Sequence, residues 1–342
     1  MRALMKVMIA GIGGASLGTE LMKCLALAGD YELFGCDISP TAYGLYETAF
    51  RQTFRIDRGN YLNAVVDACG RCGASWLIPG GEQPMVLLGE GKETLDRSGI
   101  RLAGNDAGVI RTFSNKSDTF RILESLGFAV PRTVRPEGGA DWERVGMPCI
   151  VKPSTGSGGS AMVFFAASID EAMIYESYIR RCGSIPIAQE YIPDDEGEFT
   201  VGVLSWPDGE VAGSIALRRV LDAKLSVSMR GRGAVISSGY TQGFIGDFPG
   251  IRAQAEAIAL AVGSRGPINI QGRVRKGLFL PFEINPRFSA STYLRAMAGF
   301  NEVDMFLRFL QSGRKSRPGS IREGWYLRSL AERFVPKELV EP

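Results

Sequence analysis

Apolar residues along this chain come in short runs broken by glycines and charged stretches, and the pattern of those runs changes near residue 115. Lys6 to Ala10 predicts a strand that enters Gly11-Ile-Gly13-Gly14-Ala-Ser16-Leu-Gly18. A helix over Thr19 to Ala28 follows, then a strand over Tyr31 to Cys36 that ends at Asp37. Alternation continues with a helix over Tyr61 to Cys72, a strand over Ser75 to Ile78, a helix over Pro84 to Ser98 and a strand over Ile100 to Ala103. Strands alternating with helices predict a doubly wound parallel sheet.

Beyond Asn115 the spacing predicts a helix over Lys116 to Leu126, a loop through Glu137-Gly-Gly139 and a strand over Cys149 to Lys152. A small-residue loop separates that strand from the next, and Ser168 caps a helix over Ile169 to Arg181. Strands over Ile185 to Ile192 and Glu198 to Trp206 flank an acidic loop, and Pro207-Asp208-Gly209 turns the chain into a hairpin with Glu210 to Val220. Antiparallel pairing dominates this half. The segment from about Ser312 reads as a tail, packed or partly loose.

The length of 342 residues favours two or three subdomains meeting at a cleft. Lys plus Arg (39) nearly balances Asp plus Glu (37), which argues against a global field for nucleic acid or an acidic membrane. No signal peptide or membrane-spanning run is read, and six scattered cysteines fit a reducing cytoplasm. Cys69-Gly-Arg-Cys72 has metal or redox spacing without a second pair, so a structural role is favoured. The chain has no histidine, which removes a Ser-His triad, a phosphohistidine and a His-ligated metal. Carboxylates, lysines, arginines and amides must carry any chemistry.

The most informative stretch runs from Pro267 to Arg287. Two strand-like runs around a turn near Gly277 place Gln271 opposite Glu283 and Asn269 opposite Asn285. Gln271, Glu283 and Asn285 then share one face, a set of hard oxygen donors suited to Mg²⁺. Arg287 has the same parity and supplies a fixed cation at its edge. Read alone, Glu283-Ile-Asn285-Pro-Arg287 is equally a strand entering a turn, and Pro281 marks an edge or bulged strand that could shift the register. Lys152 precedes Thr155-Gly156-Ser157-Gly158-Gly159-Ser160, whose backbone N–H groups could cradle an anion, and Lys116 opens a helix where a cation is disfavoured. Arg218 and Arg219 alternate in direction, so only one of them should face the cleft. Arg230-Gly-Arg232-Gly is a candidate loop over substrate, or a plain surface loop. Glu82 and Asp37 are substrate-side residues or loop caps.

Taken in order, Asn115-Lys116, Ile150-Val-Lys152-Pro-Ser, Gly156-Ser-Gly-Gly159, Gln189-Glu190-Tyr191-Ile192, Glu198 and Asn269-Ile-Gln271 with Glu283-Ile-Asn285-Pro-Arg287 resemble an ATP-grasp domain. The similarity is strongest to the synthetase domains of carbamoyl phosphate synthase and to D-alanine:D-alanine ligase, and it covers roughly Lys6 to Gly313. It implies an α/β chain, α+β in its C-terminal half. The divisions are a Rossmann-like pre-ATP-grasp sheet (1–112), a small lid subdomain (113–188), a large subdomain (189–313) and a tail (314–342). It implies that Lys116 and Lys152 hold the α- and β-phosphates of ATP, while Thr155, Gly156, Ser157, Gly158, Gly159 and Ser160 close over the β- and γ-phosphates. Gln189 or Glu190 would reach the adenine amino group, the backbone of Tyr191 and Ile192 the ring edge, and Glu198 the ribose. Gln271, Glu283 and Asn285 would hold two Mg²⁺ ions, replaceable by Mn²⁺, and Arg287 the γ-phosphate and acyl-phosphate oxygens. The implied activity is ADP-forming ligation of a small-molecule carboxylate to an amine, with Arg287, Lys152 and Arg218 as catalytic candidates and a homodimer left open. Two rivals stand beside it. Gly11-x-Gly13-x-x-Ser16 with Asp37 resembles an NAD(P) fingerprint, and a catalytically inactive nucleotide-binding regulator would use the same cleft.

Overall fold

Runs of consecutive apolar residues become strands covered on both faces, and this is how the N-terminal sheet is built. The computed structural model describes residues 4–14, 16–155 and 161–340. In order it has β1 (Met5–Ala10), α1 (Leu17–Ala28), β2 (Tyr31–Asp37), β3 (Gln52–Arg55), α2 (Tyr61–Cys72), β4 (Trp76–Pro79), α3 (Glu82–Glu90), α4 (Lys92–Arg97) and β5 (Arg101–Leu102). All pairs are parallel in the order β3-β2-β1-β4-β5. A Cβ on Gly18 or on Gly80 would come within 1.9 Å of the Gly11 carbonyl oxygen. Two of these glycines therefore let α1 and the turn after β4 close onto the end of β1. The expected helix over Pro84 to Ser98 is two helices, because Gly91 caps both and a side chain there would strike Leu62. The edge strand β3 carries too little apolar signal to be predicted, since only Phe54 in it is buried. Cys69 and Cys72 are free, buried thiols of α2, and burial pushes the Cys69 thiol up to about 12, consistent with an inert packing role.

α5 (Ala107–Phe113) and α6 (Lys116–Ser125) lead into a second sheet. It contains β6 (Thr133–Val134), α7 (Gly139–Val145), β7 (Cys149–Pro153), β8 (Phe164–Ala166), α8 (Ile169–Arg181) and β9 (Pro186–Glu190), with antiparallel order β6-β9-β7-β8. Where a loop was expected after Glu137, α7 inserts Trp142 and Val145 into this sheet's own core. Ser168 caps α8 by accepting the Glu171 N–H at 3.3 Å. The expected subdomain boundary at 188/189 falls inside β9.

The remaining elements are β10 (Glu198–Ser205), β11 (Val211–Arg219), β12 (Val227–Gly231), β13 (Ala234–Ser237), β14 (Gly243–Ile245), α9 (Pro249–Ala261), β15 (Pro267–Arg275), β16 (Leu278–Asn285), α10 (Thr292–Met297), α11 (Glu302–Ser312), β17 (Gly324–Tyr326) and α12 (Lys337–Val340). An antiparallel sheet of order β16-β15-β10-β11-β14-β17 forms the large half, and β12-β13 is a separate ribbon. One face of the large sheet packs Val201, Val203, Ile268 and Ile270 against Ala255 and Ile258 of α9. The other contributes Leu204, Ile215 and Leu217 to a core shared with Leu21 and Leu25 of α1 and Phe306 of α11. The first and third sheets are thereby welded, and a cleft opens between them and the second. Because β17 pairs with β14, the start of the C-terminal tail is packed. Among the described residues no helix is long and apolar enough to cross a membrane.

Candidate active site

The hairpin β15–β16 turns at Lys276-Gly277, both with positive φ (52° and 73°), as a two-residue hairpin turn requires. Pairing runs regularly from Arg275 opposite Leu278 to Gly272 opposite Pro281, then shifts by one residue to Gln271 opposite Glu283 and Asn269 opposite Asn285. The expected register occurs at the site through a tighter turn followed by a bulge at Phe282. β16 is an edge strand, which explains why Pro281 is tolerated. The bulge also turns the Phe282 carbonyl toward Lys152, whose Nζ donates to it at 3.1 Å.

Gln271, Glu283 and Asn285 lie together along one cleft of about 610 Å³, with Lys116, Lys152, Gln189, Glu198 and Arg287 also in its walls. Glu283 is half-buried among the charges of Lys152, Arg219 and Arg287. Arg287 donates to the Phe288 carbonyl at 2.9 Å and reaches Asn285 Oδ1 at 3.4 Å, while its buried Nε has no hydrogen-bond partner among the described residues. Burial pushes the Arg287 guanidinium down from its ordinary range, opposed by Glu283 and Glu82. Among the described residues no group of three carboxylate or cysteine side chains is placed to hold a metal. A divalent ion here would rest on one carboxylate and two amide oxygens, a donor set that fits Mg²⁺ when phosphate oxygens and water complete it. Asn269, the other amide on this face, turns inward and accepts from Thr200 and Arg295.

Lys152 is 5% exposed at the end of β7, donating to Gln189 Oε1 at 2.8 Å as well as to Phe282. The backbone N–H of Lys116 donates to Ser154 O at 2.8 Å, which docks the start of α6 beside the end of β7. Burial first, and the Lys116 charge second, push Lys152 down to about 7, with Glu283 opposing. Thr155 is exposed at the entry to the glycine loop. Gly156, Ser157, Gly158, Gly159 and Ser160 lie outside the described residues.

At the other end of the cleft Ile150, Val163, Tyr191, Ile192, Val235, Ile236 and Phe282 make an apolar slot. Neither side chain kept for the adenine amino group stands free. Gln189 gives its oxygen to Lys152 and its amide N–H to Thr133 at 2.9 Å, and Glu190 is held by Arg275 at 2.5 Å and Arg132 at 3.2 Å. The backbone is better placed: Tyr191 N–H donates to Pro148 O, but Pro148 has no N–H to return, which leaves the Tyr191 carbonyl outside the ladder. Glu198 lines the cleft with its carboxylate locked between Arg219 at 3.1 Å and Arg273 at 2.9 Å.

Of the paired arginines, Arg219 and not Arg218 is on the cleft face. Arg218 lies opposite Phe199 and is exposed, whereas Arg219 is 6% exposed and donates to Ser238 O at 2.7 Å. Arg219 also reaches Gln271 Oε1 at 3.4 Å. The Arg230-Gly-Arg232-Gly stretch is the turn of the β12–β13 ribbon rather than a loop over substrate. Its strands cover the apolar slot, Val235 N–H donating to Tyr191 Oη at 3.0 Å, and Arg232 reaches Glu171 of α8 at 2.5 Å. Asp37 is a loop cap, its carboxylate accepting from Ile12 N–H at 2.7 Å and Ser39 N–H at 2.9 Å. Sequence reasoning singled out Ser16 but missed much of the remaining cleft wall, formed by Ser238 to Thr241, Ser289 and Ala290. Single small polar residues in loops carry no periodic signal that would find them.

A family model described as an ATP-grasp domain matches residues 113–226. The chain is 26% identical over 269 residues to the carbamoyl phosphate synthase large chain of Haemophilus ducreyi, covering 77% of this chain and 23% of that protein. It thus spans about a quarter of that relative's length. Among solved structures it resembles the biotin carboxylase domain of 2-oxoglutarate carboxylase from Hydrogenobacter thermophilus, in complex with MgADP, ADP and bicarbonate. That likeness has a TM-score of 0.67 at 15% identity, over 94% of this chain and 73% of that one. N5-carboxyaminoimidazole ribonucleotide synthetase from Thermus thermophilus has a TM-score of 0.65 at 18% identity, over 91% and 80%. Around the cleft that holds the two lysines and the bulged hairpin, residues 113–226 of this chain therefore match an ATP-grasp domain.

Proposed function

We propose that this chain is an ATP-dependent ligase that activates a carboxylate as an acyl phosphate and passes it to an amine. The observation that carries the reading is the convergence of Gln271, Glu283, Asn285 and Arg287 with Lys116 and Lys152 in one cleft. The H. thermophilus neighbour was solved with MgADP, in keeping with Mg-ATP as the nucleotide here. Gln271, Glu283 and Asn285 would hold two magnesium ions, which supply positive charge against the triphosphate.

The residues of the chain divide the remaining tasks. The apolar slot takes the adenine, with the Tyr191 and Ile192 backbone at its edge and Glu198, already balanced by two arginines, at the ribose end. Lys116 and Lys152 neutralise the α- and β-phosphates. The substrate carboxylate attacks the γ-phosphorus, releasing ADP. Arg287, a fixed cation in the cleft wall, would face the oxygens of the resulting acyl phosphate. The amine then attacks the acyl carbon, loses a proton and expels phosphate. Positioning and electrostatics supply the rate, which suits a chain without histidine.

Against the NAD(P) reading, the Asp37 carboxylate accepts from the Ile12 and Ser39 N–H groups of its own loop. A panel of amino acids, hydroxy acids, dicarboxylates and bicarbonate, incubated with Mg-ATP and hydroxylamine, tests the ligase. Acid-dependent ADP release with hydroxamate formation supports it. Nucleotide binding without turnover across the panel points to a regulator. Glu283→Ala should abolish ADP formation and leave the circular dichroism spectrum unchanged; surviving turnover would refute the metal assignment.

A further inference from the structure

The segment after β17 returns to the cleft. Pairing of Tyr326 with Gly243 sets Arg328 beside the loop that precedes β14, and its backbone N–H donates to Gln242 Oε1 at 3.1 Å. The Arg328 side chain is 8% exposed. Its Nε donates to Thr241 O at 3.2 Å, and its Nη2 donates to Ala290 O at 2.6 Å and Glu20 Oε2 at 3.0 Å. Glu20, itself 2% exposed, belongs to the first turn of α1. One guanidinium therefore joins three segments, and each has cleft-lining residues: Ser16 and Leu17 just before Glu20, the loop Ser238 to Thr241, and the turn Ser289-Ala290.

The loop is gripped from two sides. Arg219 holds the Ser238 and Tyr240 carbonyls from the sheet, and Arg328 holds the Thr241 carbonyl from the tail. These walls line the cleft together with Arg287, which stands two residues before Ser289 just past the end of β16. We propose that the C-terminal segment is part of the active site and that Arg328 is a positioning residue shaping the pocket for the substrate acid. This rests on the ligase reading of the cleft. The planar fork of arginine suits such a task, since it presents several donors in fixed directions, whereas a lysine offers one point charge.

That difference supplies the test in the full chain. Arg328→Lys keeps a cation for buried Glu20, so its melting temperature stays near that of the parent protein, but it loses the bridge. With an acid from the panel that turns over, the half-saturating acid concentration should rise at least tenfold while half-saturating ATP moves less than twofold. Amide hydrogen exchange in the free protein should speed up over residues 238–242 and 289–292 and stay unchanged over 189–192. A well-folded Arg328→Lys protein with parent-like acid saturation and parent-like exchange would overturn the proposal. So would an equal loss for acid and ATP. If no acid releases ADP from the parent chain, the ligase reading fails, and the exchange measurement still decides whether Arg328 holds these loops.

Discussion

Lys152 is brought to change its charge near neutral pH in a chain that lacks histidine, because its value is pushed down to about 7 from the ordinary 10.5. Its folded-state value lies below that of the unfolded chain, so between these two pH values the unfolded state holds the extra proton. Its contribution to stability therefore rises with pH across that window and is least favourable below about 7. Phosphates have the opposite preference and favour the charged lysine. Binding of Mg-ADP at pH 8 should take up protons, seen by calorimetry in buffers of different ionisation enthalpy. Affinity should fall as pH rises above 7, by at most about tenfold per unit from this one group. Lys152→Met should flatten that dependence, and a parent protein showing no proton uptake would refute it. At this scale strand parity makes Gln271, Glu283 and Asn285 readable from sequence. The choice between Arg218 and Arg219 is not readable, because it depends on which face of β11 meets the cleft, and only the neighbouring strand settles that.

Among the elements, the β15–β16 hairpin is held from behind by a buried ion pair. Arg295 of α10, fully enclosed, meets Glu302 of α11 at 3.1 Å and donates to Asn269 at 2.5 Å and Thr200 at 3.1 Å. Gly202 makes room for it, since a Cβ there would lie 2.2 Å from Arg295 Nη1. Removing one partner of such a pair leaves an uncompensated charge, so Arg295→Met should cost about 3–5 kcal/mol in urea unfolding. A change below about 1 kcal/mol would show that Glu302 is satisfied by Thr292 alone. The same scale shows what sequence conceals. The bulge at Phe282 is hinted at by Pro281, but α7, β3 and the β12–β13 ribbon are short, and their identity comes from the partners they cover rather than from their own periodicity.

Across the whole molecule, the change from a parallel first sheet to antiparallel later sheets is visible in the change of pattern near residue 115, yet it does not separate folding units. Leu21 and Leu25 of α1 share a core with Leu204, Trp206 and Phe306. A fragment of residues 113–313 should expose that apolar surface and aggregate. The full chain should show the first and third sheets unfolding in one transition by calorimetry; a soluble, folded fragment would refute this. The second sheet is different, having a separate core around Trp142, Val151 and Ile179. The welded core therefore fixes which wall of the cleft can act as a door. With α1, α10 and α11 packed into one core with the large sheet, the first and third sheets are held together, and the second sheet, which has its own core, is the wall left to move. The ion pair between Arg232 of the β12–β13 turn and Glu171 of α8 ties the second sheet to the ribbon beside the cleft, so the freedom of that wall is set in part by a single contact at the surface.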